Sequence, residues 1–205
     1  MRLVKFMLFA SGFFMIPVLF AWLQDIPSRF LLKEFFSLLA IGAFHLAIGQ
    51  AFLVKFFRQV KLSELGLCHK PVGYAVMVIM LLHPLFIIMP RFFLNELSPL
   101  SCLSEMIESP RLATGICAWL TLLTLALLSI FKNRLHFGKS MWIRMHTVIS
   151  IIFYILAFHH MVRIGRHSNI AVNFLTSGFI FFILLRAAMN EFKINTENPK
   201  LKEES

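Results

Sequence analysis

Six apolar stretches, at about 4–23, 35–57, 71–94, 113–131, 143–163 and 169–189, alternate with short polar segments along the chain. Each is 19 to 24 residues long. A helix of about 20 apolar residues spans a hydrocarbon core about 30 Å thick. Backbone groups inside that core have no water to bond, so each run has to satisfy its own amides as a helix. The pattern predicts an all-α polytopic membrane protein, a bundle of six transmembrane helices. The first run, behind Arg2 and Lys5, has the look of a signal peptide, but no small-x-small cleavage site follows Ala21. It is expected to be a retained helix. Residues 1–190 form one membrane domain. Residues 191–205, a Lys/Glu mixture with Pro199, read as a short polar tail.

Composition adds a direction to this frame. The 205 residues are 59% hydrophobic and carry a formal charge of +10. In a chain this apolar, excess positive charge marks the loops retained on the cytoplasmic side and does not indicate nucleic acid. With both termini inside, fourteen Lys and Arg lie on inner segments and six on outer ones. That asymmetry predicts a multi-pass protein of the inner (plasma) membrane with both termini cytoplasmic. The cysteines, Cys68, Cys102 and Cys117, have neither metal spacing nor a disulfide framework.

The candidate chemistry lies in the histidines. His69, at the polar start of the third run, and His83, inside it, are fourteen residues apart, and His146 and His159 are thirteen apart on the fifth, with His160 adjacent. Ionisable groups are costly in a bilayer, so they mark functional sites by default. In the charge-based topology both spans run outward, so the two pairs fall at matching depths. Within each span the two histidines lie about 20 Å apart at 1.5 Å per residue. Two such levels would form stacked axial-ligand sets, the way a membrane bundle holds two b-type haems. Imidazole ligation on both sides of the iron blocks substrate binding and leaves single-electron transfer.

Helical phase tests the sets. Fourteen residues at 100° each fall about 40° short of four turns, which puts His69 and His83 on one face. Thirteen residues leave His159 about 140° from the face of His146. On phase alone His160 fits better, and His159 needs a bulge in the helix. A single intramembrane histidine is as often a hydrogen-bonded structural residue. His45, midway along the second span with no partner at this spacing, reads that way, and His136 and His167 fall in loops. A reading from another class is a haem-free proton-coupled transporter with histidines as relays. The inverted halves with broken helices that would favour it are not visible, since Pro84 and Pro90 share one span.

The run His69-Lys70-Pro71-Val72-Gly73, then Leu82-His83-Pro84-Leu85, Thr114-Gly115 and Arg144-Met145-His146 followed by His159 resembles the ferric reductase-like transmembrane domain. The resemblance covers residues 35–189. That domain is shared by ferric-chelate reductases, NADPH oxidases and the haem-binding subunit of the methionine sulfoxide reductase system. It implies ligand sets of His69 with His146 for an inner haem and His83 with His159 for an outer one. Family spacing thus favours His159 where helical phase favours His160. The methionine sulfoxide reductase subunit typically has a basic residue at the place of His69, so the chain looks more like the two-haem branch.

The resemblance also implies partners. Full-length reductases of this kind continue into a flavin- and NAD(P)H-binding domain, and no glycine-rich dinucleotide fingerprint stands in this chain. Electrons are expected from a cytoplasmic flavoprotein or flavin reductase, with FMN or FAD held by that partner, or from quinol. The acceptor is expected to be ferric iron, oxygen or a periplasmic protein. The alternative within the same chemistry is a haem-binding membrane anchor of a periplasmic reductase, methionine sulfoxide reductase included. Lys61, Lys70, Arg134, Lys139 and Arg144 gather at the inner end, where Arg144 is the expected haem-propionate contact. Arg91, Arg163 and Arg166 fall at the outer end, where they suit an anionic iron chelate.

Overall fold

The computed structural model describes residues 12, 14–24, 31–56, 62–94, 98–164 and 170–197, and every regular element among them is an α-helix. The helices are α1 (Ile16–Gln24), α2 (Leu31–Phe56), α3 (Leu62–Leu94), α4 (Pro99–Glu108), α5 (Pro110–Phe131), α6 (Lys139–Ile164) and α7 (Ile170–Glu197). Five of these, α2, α3, α5, α6 and α7, are long and apolar enough to cross a membrane. They match the second to sixth expected spans. α1 covers the last third of the first span, whose remainder lies largely outside the described residues.

α2 is the centre of the bundle. Ile41, Phe44, His45 and Ile48 are buried along it, and the core cluster they begin also takes in Val18 of α1, Leu122 of α5, Phe153 and Ala157 of α6, and Ile180 of α7. The remaining spans keep one face inward and turn the other to lipid. Val78, Leu82 and Leu85 are exposed along α3, and Val148, Ile152, Ile155 and Val162 along α6. Steps of three and four mark one stripe of a helix. In a soluble protein such stripes would be anomalous; against acyl chains they are the expected surface. Glycines let α1 approach α2. A Cβ on Gly42 would meet the Met15 side chain at 2.7 Å, and one on Gly49 the Phe14 ring at 2.8 Å. Small residues of this kind allow close helix contact where no hydrophobic drive exists.

Contacts between helices give their relative directions. Phe36 of α2 stacks on Phe86 of α3 at 3.8 Å, so the start of one meets the end of the other. Phe52 of α2 packs on Phe179 and Phe182 of α7, while His45 reaches Thr176, so α2 and α7 run parallel. These directions agree with alternate crossing of a bilayer.

Three side chains bond polar atoms across helices. Burial leaves His45 only 1% and Thr176 0% exposed. His45 Nδ1 donates to Ile41 O at 2.9 Å, since a carbonyl only accepts, and its Nε2 lies 3.0 Å from Thr176 Oγ1. The Thr176 hydroxyl also lies 2.6 Å from Val172 O. Its single proton serves one neighbour at a time, so a neutral His45 and Val172 O compete for it. Trp119 Nε1 donates to Leu81 O at 3.0 Å and Tyr154 Oη to Ala47 O at 3.1 Å. The Trp119 contact stands beside Pro84, whose missing N–H opens a gap in the α3 ladder. Neighbouring helices re-satisfy such gaps in membrane proteins.

Two local features differ from the pattern-based expectation. The segment between the third and fourth spans contains α4, started by Ser98, whose Oγ accepts from Ser101 N at 3.3 Å, with Pro99 in the first turn. Serine followed by proline is a helix-start signal that an apolar-run reading passes over. α7 continues to Glu197, past the apolar stretch, because no glycine or proline interrupts it before Pro199. His136, with φ 50°, ends the turn after α5 in the left-handed region that histidine tolerates better than most residues.

Thr176→Val should lower unfolding stability by about 0.6–1.7 kcal/mol, the range of interhelical hydrogen bonds in a bilayer. Denaturation of purified protein in mixed micelles checks this, with helical content unchanged before the transition.

Candidate functional site

α3 and α6 carry the candidate ligands, and the bundle sets them side by side without packing one along the other. α3 lies mainly on α2, and α6 mainly on α5. Across the interval the rings of His69 and His146 approach to 6.2 Å between centres, at 82°. Metal–imidazole bonds run about 2.0–2.1 Å, so two imidazoles on opposite sides of one metal hold their ring centres roughly 6 Å apart. The pair meets that separation. Nδ1 of His69 and Nδ1 of His83 are buried and without a hydrogen-bond partner.

Fourteen residues further along both helices lies a second level. His83 of α3 and His160 of α6 stand there, each fourteen residues past the histidines that meet at the first level. His69 meets His146 at one level, and further along both helices Leu81 of α3 meets Trp119 of α5, whose Gly115 one turn away meets His160 of α6, so α3 and α6 are parallel. This is the relation the charge-based topology predicted for the third and fifth spans.

The two adjacent histidines of α6 part company. His160 is half-buried, and its Nδ1 lies 3.2 Å from Arg111 O on α5. A Cβ on Gly115 would meet the His160 ring at 2.5 Å, so the ring occupies the notch that this glycine leaves. His159 is exposed and continues the stripe of Val148, Ile152, Ile155 and Val162. α6 is α-helical from Lys139 to Ile164.

Around His146, Trp142 packs one turn earlier at 5.5 Å, and Lys132 Nζ sits 5.1 Å from the Trp142 ring centre. Neither contact was legible beforehand, although a Trp four residues before a His on one helix is a contact the spacing allows. Ser150 Oγ donates to His146 O at 2.6 Å. Arg144 is exposed, and two residues put it roughly 200° around the helix from His146. Lys70, Lys132, Arg134, Lys139 and Arg144 are all exposed at the His69 end, and Arg111 and Arg163 at the other. Arg166 and His167 lie outside the described residues, as do the side chains of Lys61, Arg91, Cys68 and Cys102. Cys117 is free and exposed. His45 faces Thr176 and not the histidine levels. Among the described residues no three His, Cys, Asp or Glu side chains converge to hold a bare metal ion. A haem asks the protein for two axial groups, and its macrocycle supplies the rest. The residues present fit that demand.

Comparison with known proteins agrees with the geometry. The family model described as ferric reductase like transmembrane component matches residues 6–157. The matched stretch includes His69, His83 and His146 and ends just before the His159-His160 pair. A protein of Archaeoglobus fulgidus described only as uncharacterized is 26% identical over 156 residues, which is 71% of this chain and 85% of that protein. No solved structure matches. The paired histidines, the apolar spans and the match over most of the chain lead to one conclusion: the chain belongs to the ferric reductase-like transmembrane family.

Proposed function

We propose that this chain is a transmembrane electron carrier that holds two b-type haems between α3 and α6. The family suggests electron transfer across the membrane in general terms. The observation that carries the finer reading is the meeting of His69 and His146 at 6.2 Å, from helices that otherwise keep apart. His83 with a histidine of the 159–160 pair makes the second level, about 20 Å away along the helices. A haem held by these imidazoles would supply single-electron transfer.

The chain's own groups prepare each level. Packed neighbours hold the imidazoles in the interval between α3 and α6, so little reordering is needed when a cofactor binds. Trp142 braces the His146 ring, and the cation of Lys132 over that indole adds about 0.5–1 kcal/mol of local order. The exposed cations at the His69 end support a cytoplasmic position for that end, in an inner (plasma) membrane. Arg144 stands at that aqueous edge, where haem carboxylates would emerge. The same positive face suits an acidic flavoprotein or flavin reductase carrying FMN or FAD as donor. At the far end Arg163 and Arg111 face an acceptor of the class of ferric iron chelates, oxygen or a periplasmic redox protein.

The dithionite-reduced minus oxidised spectrum of the purified protein should show low-spin b-type haem, at two per chain. His69→Ala and His83→Ala should each remove one haem and leave the other's spectrum in place. Absence of haem after expression with adequate haem supply would sink the reading. In sealed vesicles with reduced flavin on the side of the His69 end, reduction of a ferric chelate on the opposite side should fall to background in His69→Ala.

A further inference from the structure

Two histidines compete for one role, and the fold separates them. His160 follows His146 by the same fourteen residues by which His83 follows His69. Parallel helices climb at equal rates, so the register set where His69 meets His146 recurs at His83 with His160. His159 is one residue short of that level and about 140° off the face. A bulge would bring it back, and α6 has none, being α-helical throughout. The exposed stripe of α6 runs through His159, whereas Phe153 and Ala157 on the inward side are buried and His160 is half-buried beside them.

The surroundings of His160 are built for one ring pose. Gly115 leaves a notch into which the ring fits so closely that a Cβ would stand 2.5 Å from it. At the base of the notch Arg111 O faces Nδ1 at 3.2 Å and also accepts from Thr114 Oγ1 at 3.0 Å. A carbonyl only accepts, so the bond requires the hydrogen on Nδ1. In a neutral imidazole that leaves the lone pair on Nε2. A second-shell carbonyl of this kind orients a metal-bound histidine and raises its basicity.

We propose that His160, not His159, is the α6 ligand of the haem at the His83 level, and that the Gly115 notch and the Arg111 carbonyl set its ring plane and present Nε2 to the iron. This rests on the two-haem reading above. Gly115 and Arg111 are positioning residues: neither touches the iron, and both act through His160.

The test uses the full-length, haem-loaded protein with single substitutions. The readouts are haem per chain, the low-spin electron paramagnetic resonance signals and a redox titration of each haem. His160→Ala should lose one of two haems, whereas His159→Ala should retain both with unchanged signals. If His160→Ala fails to fold, His160→Met decides. Methionine in place of an axial histidine raises the potential, so one haem should titrate higher, or turn high-spin if the thioether does not reach. His159→Met should leave both potentials in place. Gly115→Ala should shift the potential and signals of one haem while the other stays constant, an effect that general loosening would not confine to one site. Two unaltered haems in His160→Ala or His160→Met overturn the assignment, as does loss of a haem in His159→Ala with His160→Ala intact. Wild-type protein without haem overturns the electron-carrier reading itself, and that failure is distinct because it precedes any substitution.

Discussion

The register between α3 and α6 is the constraint on which the candidate site depends. Both helices rise about 1.5 Å per residue, so a match at one level is carried to every other level without further adjustment. His69 and His146 supply that match at one end. Fourteen residues on each helix bring the phase back to within about 40°, which keeps the second pair in the same interval. A shift of either helix by one residue would turn a ligand by about 100° and move it out of the space between them. Four imidazoles in a hydrocarbon environment are costly as isolated groups. Held in pairs by the proposed haems, they would form two levels out of one repeated spacing.

Keeping that register falls to groups outside the site. Apolar side chains do not drive helices together when lipid is equally apolar, so fit and interhelical hydrogen bonds have to hold the bundle. α2 is the element on which these bonds converge. His45 ties it to Thr176 of α7, and Ala47 O receives the Tyr154 hydroxyl of α6. Trp119 of α5 fastens to Leu81 O of α3, two residues from His83. α3 and α6 are thus fixed by their neighbours and not by each other. That arrangement leaves an interval between them, where the proposed haems would sit.

The two ends of the bundle differ in charge. Five exposed cations surround the His69 end, where Lys132 and Trp142 also meet, and Arg111 and Arg163 stand exposed at the opposite end. In a carrier this asymmetry both orients the chain in the bilayer and biases which partners approach each face. Between the ends, apolar stripes on α3, α5, α6 and α7 face outward.

Much of this was legible in the residues themselves. Five apolar runs became helices because backbone amides in hydrocarbon have no other outlet. His69, His83 and His146 declared themselves as ionisable groups in apolar surroundings, and the resemblance they carried proved to be the family. Relative helix directions followed from the number of spans, since a chain that crosses a bilayer repeatedly has to alternate. Other features were outside the reach of pattern. The Ser98 cap of α4 falls in a stretch with no strong apolar period. His45 was identified as structural, but its partner Thr176, 131 positions away, belongs to a helix whose facing residue no local spacing reveals. His159 and His160 are the clearest case. Sequence alone set phase against family spacing, whereas the tertiary structure put one ring in the Gly115 notch and the other on the lipid-facing stripe. Spacing along one helix determines which side chains share a face. Which face looks inward is decided only when the neighbouring helices are in place.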